Sequence, residues 1–192
     1  MPIRDSLRFF GAFVRHPGSV GSVWPSSRAL AEQLAGNLDL REGDVVVEYG
    51  PGTGPVTAVL DDAVDDVPGV RYLGIELNRR FVELLRARYP HRDFAHGSVV
   101  DVVAHLRERG LTRARYIISG LPFASLPHAV QVDTVAGIAE VLDRDGEFRT
   151  FQYVHAFGLP AARRFRALMA ARFPHCERSR PVLKNLPPAY VL

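Results

Sequence analysis

Short apolar, β-branched runs alternate with helical patterns from Asp44 to the end of the chain, and this limits the possible folds more than any other feature. Strands are expected at Asp44–Tyr49, Arg71–Glu76, Asp93–Ala95, Ala114–Ser119, Glu147–Val154, Arg180–Leu183 and Tyr190–Leu192, with helices at Val56–Asp65, Asn78–Arg88, Val100–Glu108, His128–Val141 and Ala161–Phe173. Strand and helix in that rhythm predict an α/β fold: a mostly parallel sheet covered on both faces, whose ligands bind beyond the carboxyl ends of the strands. At 192 residues the chain has room for one such unit and little else. No eighteen-residue stretch is uninterruptedly apolar, so no membrane-spanning helix is expected, and the arginine-bearing start does not read as a signal peptide. The single cysteine, Cys176, leaves no disulfide framework or cysteine metal site, which suits the cytosol, and no metal is expected.

The first strand runs into "EYGPGTG", residues 48 to 54, and then a helix. Glycines suit a turn where a ligand approaches the backbone and some positions need φ > 0, while the following helix offers free N–H groups and its positive end. Dinucleotide loops favour G-x-G-x-x-G, and here Pro55 occupies the third glycine position. Glu48, two residues before Gly50, would repel a pyrophosphate but suits an ammonium group, which points to an amino-acid-like nucleoside. Glu76, at the end of the second strand, is placed to accept two ribose hydroxyls.

At these residues the chain resembles the class I S-adenosylmethionine (SAM) methyltransferases, and "EYGPGTG" matches their cofactor loop. The resemblance implies a Rossmann-like, seven-stranded, mostly parallel sheet with helices on both faces and an N-terminal helical extension. It divides the chain at about residue 40, with residues 1 to 40 as amphipathic and substrate helices and 41 to 192 as the methyltransferase domain. The implied cofactor contacts are Glu48, Gly50, Pro51, Gly52, Thr53, Gly54, Glu76, Leu77, Gly97, Ser98, Val99 and Ser119. In "HGSVVDV" Ser98 stands where the family's adenine-edge motif usually has an acid.

The fourth strand leads into "SGLPFASLP". Adenine N6 enzymes carry D/N-P-P-Y/F or N-L-P-Y at this place. Gly120, which opens the tetrad here, has no side chain to accept from an exocyclic amine. The segment instead resembles bacterial phospholipid N-methyltransferases, as do "PSSRALAEQLA", "FQY" and "NLPPAYV" in the same order. That resemblance implies methylation of phosphatidylethanolamine and its mono- and dimethylated forms to phosphatidylcholine. Methylation of another amine, such as an RNA adenine or an ornithine-type lipid, and a non-catalytic SAM-binding module are the alternatives.

A quaternary ammonium product calls for aromatic walls, and Trp24, Phe123, Tyr153 and Tyr190 are the candidates, with Phe123 and Tyr153 preferred because both follow strand ends. Tyr153, Phe123 and Ser119 are the expected catalytic residues; Tyr153 would orient the amine or pass its proton to water, with His155 or His128 in reserve. Ser26 or Ser27 is expected to cap the second helix. Ahead of it, Ile3, Leu7, Phe10 and Val14 recur at helical spacing with Phe9 and Phe13 beside them, flanked by Arg4, Arg8 and Arg15. Such a helix suits an anionic phospholipid surface, so the expected location is peripheral, on the inner face of a bacterial cell membrane. Arg163, Arg164 and Arg166 read either as a second anionic contact or as a solvated helix face.

Overall fold

A computed structural model describes residues 27 to 192. The elements run α1 (Arg28–Ala35), β1 (Val45–Tyr49), α2 (Pro55–Asp65), β2 (Arg71–Glu76), α3 (Arg79–Arg88), β3 (Asp93–His96), α4 (Val102–Arg107), β4 (Ala114–Ser119), α5 (His128–Val141), β5 (Leu142–Arg149), β6 (Phe151–Tyr153), α6 (Pro160–Arg172) and β7 (Ala189–Val191). Single 3-10 turns sit at Val99–Asp101, Phe123–Ser125 and Val154–Ala156.

Five strands form a parallel sheet in the order β3-β2-β1-β4-β5. Its reversal point lies at β1, whose neighbours β2 and β4 leave a crevice above their carboxyl ends. Beyond Thr150 the chain continues as β6, which pairs antiparallel with β7 in a separate two-stranded sheet. Thr150 itself exchanges two backbone hydrogen bonds with Leu192. The expectation of seven strands in one sheet is therefore corrected in detail. Glu147–Val154 is divided at Thr150, and Arg180–Leu183 contributes only an isolated bridge from Val182 to Ala189, because Pro181 has no N–H to extend a ladder.

Alternation along the strands fills two cores. Val45, Val47 and Tyr49 of β1 point to the face covered by α4, α5 and α6, where Leu106, Ile138 and Phe165 are buried. Val46 points to the opposite face, with Tyr72, Phe94 and Ile118, under Leu34, Leu60 and Leu85 of α1, α2 and α3. Burying these residues on both faces holds the strand ends at fixed spacing. Ser27, of the two serines, caps α1 by accepting from the Leu30 N–H at 3.2 Å. Its own N–H donates to Asn185 Oδ1 at 2.9 Å, so the "NLPPAYV" segment is tied to the start of α1. No helix among the described residues is long and apolar enough to cross a membrane.

Candidate active site

The glycine loop folds as its spacing predicts. Gly50, Gly52 and Gly54 all have positive φ, at +65°, +60° and +88°. A Cβ on Gly50 would lie 2.4 Å from Leu121 Cδ2, whereas one on Gly52 would meet nothing within 4 Å. Gly50 is thus fixed by packing against the end of β4, and Gly52 faces the open space a ligand can enter. Gly54 precedes α2 without a side-chain cap, and Pro55 follows at the first turn, so the N–H groups of that turn are available to a ligand. Pro51 is buried and its carbonyl accepts from Gly54 N–H, while Thr53 is exposed.

Glu76 lies beside the loop. Its Oε2 accepts from Gly52 N–H at 3.0 Å and its Oε1 from Asn78 N–H at 2.8 Å. Burial raises its pKa while these amides oppose the shift. Two amides leave part of a carboxylate's acceptor capacity for hydroxyl groups, in keeping with the expected ribose contact.

Glu48 has partners other than those expected. It is fully buried beneath the loop, and its Oε2 accepts from Thr57 at 2.9 Å and Tyr72 at 2.5 Å. Its Oε1 is buried without a partner. Burial pushes the carboxyl pKa up to about 7, against the opposing pull of the two hydroxyls. In this structure Oε2 fastens β1 to α2 and β2, and the unpartnered Oε1 is the oxygen left for an ammonium group. Tyr72 went unnoticed in the sequence because its nearness appears only with register. Glu48 pairs with Gly74, which makes Tyr72 its diagonal neighbour on the same face.

Just after the third strand, a Cβ at Gly97 would lie 2.5 Å from the His105 ring, so a larger residue there would have to displace that imidazole. Ser98 accepts from Val100 N–H at 3.2 Å and caps the turn that follows, and Val99 is buried in the core. Leu77 is half-buried against the same core. At the end of β4, Ser119 is fully buried and its Oγ accepts from Leu121 N–H at 3.2 Å. Gly120 donates to the Tyr49 carbonyl, and a Cβ there would sit 3.0 Å from Gly50 O. The missing side chain of the "SGLP" segment thus has a packing reason as well as a chemical consequence.

Phe123 is corrected from cage wall to core. It is fully buried, stacked on Phe165 at 4.5 Å and edge-on to Phe148 at 6.0 Å, with no face left for a substrate. Tyr153 remains half-buried near the carboxyl end of β6, packed on Phe151 and His155, and burial raises its phenol pKa. Tyr190 packs edge-on against Phe157 at 4.9 Å. Sequence reasoning missed Gln131, a buried residue of α5 whose Nε2 donates to the Phe123 and Leu126 carbonyls at 2.6 and 3.2 Å. A glutamine inside an apolar helical pattern was the available signal. Arg4, Arg8, Phe9, Phe10, Phe13, Trp24 and Ser26 lie outside the described residues. The acids Asp61 and Asp65, which with His91 are spaced as metal ligands could be, both engage Arg92.

A parallel sheet with an open glycine loop at its reversal point, an uncapped helix start and an acid ending the second strand defines a class I SAM-dependent methyltransferase, and SAM is its cofactor. Comparison with known proteins agrees. No family model matches the chain. Over 149 residues, however, it is 36% identical to the ornithine lipid N-methyltransferase of Singulisphaera acidiphila, covering 76% of this chain and 77% of that protein. The chain belongs to the same family as that enzyme. A shorter match, 39% over 90 residues, joins 45% of the chain to 29% of the ribosomal RNA small subunit methyltransferase A of Cupriavidus metallidurans. Among solved structures, TrmN from Thermus thermophilus superposes with a TM-score of 0.59 at 17% identity, over 97% of this chain and 52% of that one. SAM-bound fibrillarin from Aeropyrum pernix gives 0.58 at 14%, over 84% and 72%. At those identities the likeness is one of fold.

Proposed function

We propose that the protein is a lipid N-methyltransferase that transfers the sulfonium methyl of SAM to the primary amine of a membrane lipid, with phosphatidylethanolamine as the first expected acceptor. The observation that carries this reading is the extent of the match to a lipid N-methyltransferase, 36% identity over 76% of the chain. Gly120 supports it, since it offers no side-chain acceptor to a base amine. A second acceptor, ornithine lipid, is favoured by the name of that same relative. The phenylalanine-rich, arginine-flanked segment at residues 3 to 15 is proposed to hold the enzyme peripherally on an anionic membrane surface.

The test is incubation of purified protein and labelled SAM with vesicles of phosphatidylethanolamine and, separately, of ornithine lipid, followed by lipid chromatography. Label in mono-, di- or trimethylated phosphatidylethanolamine is the expected outcome. Label only in ornithine lipid transfers the assignment to the second acceptor. If neither lipid is labelled while SAM binds, the lipid reading falls.

A further inference from the structure

Away from the glycine loop, two guanidinium groups stand together without an acid. Arg166 of α6 is half-buried, and its Nη1 donates to Gln152 Oε1 at 2.6 Å and to the Phe157 carbonyl at 2.9 Å. Its Cζ lies 3.7 Å from the centroid of the Phe157 ring. Arg178 is exposed and lies over both Phe157 and Tyr190, at 5.1 and 4.7 Å. Gln152 and Tyr190 are register partners on β6 and β7, so the cluster is built on one face of that two-stranded sheet. Tyr153, the next residue, belongs to the other face.

Ion pairs among the described residues lie elsewhere: Arg107, Arg115 and Arg149 each meet an acid, whereas Arg166 and Arg178 meet none. Burial, then Arg163, then Arg178 lowers the pKa of Arg166, which marks a local excess of positive charge. Gln152 and the Phe157 carbonyl hold Arg166 in place, and Arg178 rests over the Phe157 and Tyr190 rings beside it. Arg166 spends only Nη1 on the protein, and Arg178 makes no hydrogen bond to described residues, so several N–H donors remain. The cluster opens on a groove of about 1360 Å³ whose lining includes Phe157, Arg166, Arg172 and Arg178, with Glu177 and the acids Glu32, Asp143, Asp145 and Glu147 in the same lining, and no residue of the glycine loop.

We propose that Arg166 and Arg178, mounted on Phe157 and Tyr190, form a binding site for a phosphoryl group, presented either by a lipid headgroup or by a free phosphate. Planar guanidinium forks match the oxygens of a tetrahedral phosphate bidentately. A phosphate monoester, as in free phosphate or phosphatidic acid, carries a charge of about −1.5 to −2 near neutral pH and offsets the repulsion between the arginines more fully than a single carboxylate does. The site does not depend on the acceptor assigned above, and its test reads binding instead of methyl transfer, so the two proposals fail separately.

The full chain is titrated calorimetrically with inorganic phosphate, and its sedimentation with phosphatidic acid vesicles is compared with that on phosphatidylcholine vesicles. Saturable phosphate binding identifies a free-anion site; preference for phosphatidic acid that Arg178→Ala removes, without phosphate binding, identifies a headgroup site, whereas a preference that survives Arg178→Ala belongs to the anionic-surface segment at residues 3 to 15. In either case Arg178→Ala weakens binding by roughly tenfold or more, Arg178→Lys restores part of it, and Arg144→Ala, which alters the groove away from the cluster, leaves it unchanged. Circular dichroism should show the Arg178 variants folded as the parent. The proposal is overturned if neither probe binds, if Arg178→Ala binds as the parent does, or if Arg144→Ala weakens binding equally.

Discussion

Replacing Glu48 by glutamine separates two accounts of the cofactor loop. Burial raises the carboxyl pKa from 4.5 to about 7, so the folded protein keeps a proton that the unfolded chain releases. The stability this group contributes is fully present below 4.5 and is lost as pH rises through about 7. Each pH step of one between those two values removes about 1.4 kcal/mol, so the whole loss is roughly 3 kcal/mol. Glu76 is shifted in the same direction and its charge is a lesser cause of the Glu48 shift, so its own burial cancels in the difference while the coupling between the two carboxyls is part of what is measured. The introduced amide would still accept from Thr57 and Tyr72 through its carbonyl oxygen, so Glu48→Gln should match the parent at the acid end and exceed it by up to about 3 kcal/mol at neutral pH and above. Urea unfolding across that interval, extrapolated linearly to water, measures this. A difference that does not change with pH would refute the burial argument. SAM affinity measured on the same samples should stay within about tenfold of the parent, since the loop keeps its anchor; a loss beyond about a hundredfold would mean that the ionised carboxylate meets the ligand's ammonium after all.

Three further substitutions probe the crevice. Gly50→Ala combines a left-handed backbone with a Cβ 2.4 Å from Leu121, and should cost about 1–2 kcal/mol in thermal unfolding from the backbone alone, with SAM binding lost. Phe123→Ala should destabilise the fold by about 3–5 kcal/mol, whereas Phe123→Leu should leave KM for the lipid amine near that of the parent; a large rise in KM for Phe123→Leu would return this residue to the substrate site. Tyr153→Phe keeps the ring and should lower kcat no more than about tenfold, the scale of one hydrogen bond; a loss of about a hundredfold or more would show that the hydroxyl moves a proton.

The donor half of the site was legible because its requirements are local. Positive φ at Gly50, Gly52 and Gly54, Pro55 in the first turn of a helix and an acid ending β2 all lie within a short span, and each leaves its mark on residue type. What escaped depends on contacts between distant segments. Phe123 follows a strand end, as a substrate wall would, yet the 3-10 turn at Phe123–Ser125 carries its ring inward onto Phe165, 42 positions away by the numbering. Gln131 holds that turn and Asn185 holds the start of α1; the glutamine stands out only as a polar residue within an apolar helical pattern, and the asparagine does not differ in sequence from an ordinary polar residue. Arg180–Leu183 has the composition of a strand but only Val182 bridges to a partner, since Pro181 has no N–H to extend the ladder.

The chemistry left to this chain's residues is smaller than the expected catalytic set suggested. On the proposed reading, the acceptor amine has a pKa of roughly 10, by analogy with lysine, and must be neutral to attack, which costs about 4 kcal/mol near neutral pH. Tyr153 cannot recover that cost as a base, because burial raises its phenol further above neutrality; Ser119 already accepts from Leu121, and its Oγ is fully buried. Alignment of the reacting groups is worth about 7–11 kcal/mol, more than the deprotonation requires. On the proposed reading the amine is expected to react without Tyr153 or Ser119 as base, aligned beside the glycine loop and the Gln131-held turn. The dependence on pH should then follow the amine: kcat/KM rises log-linearly toward the amine's own pKa, with no inflection attributable to Tyr153.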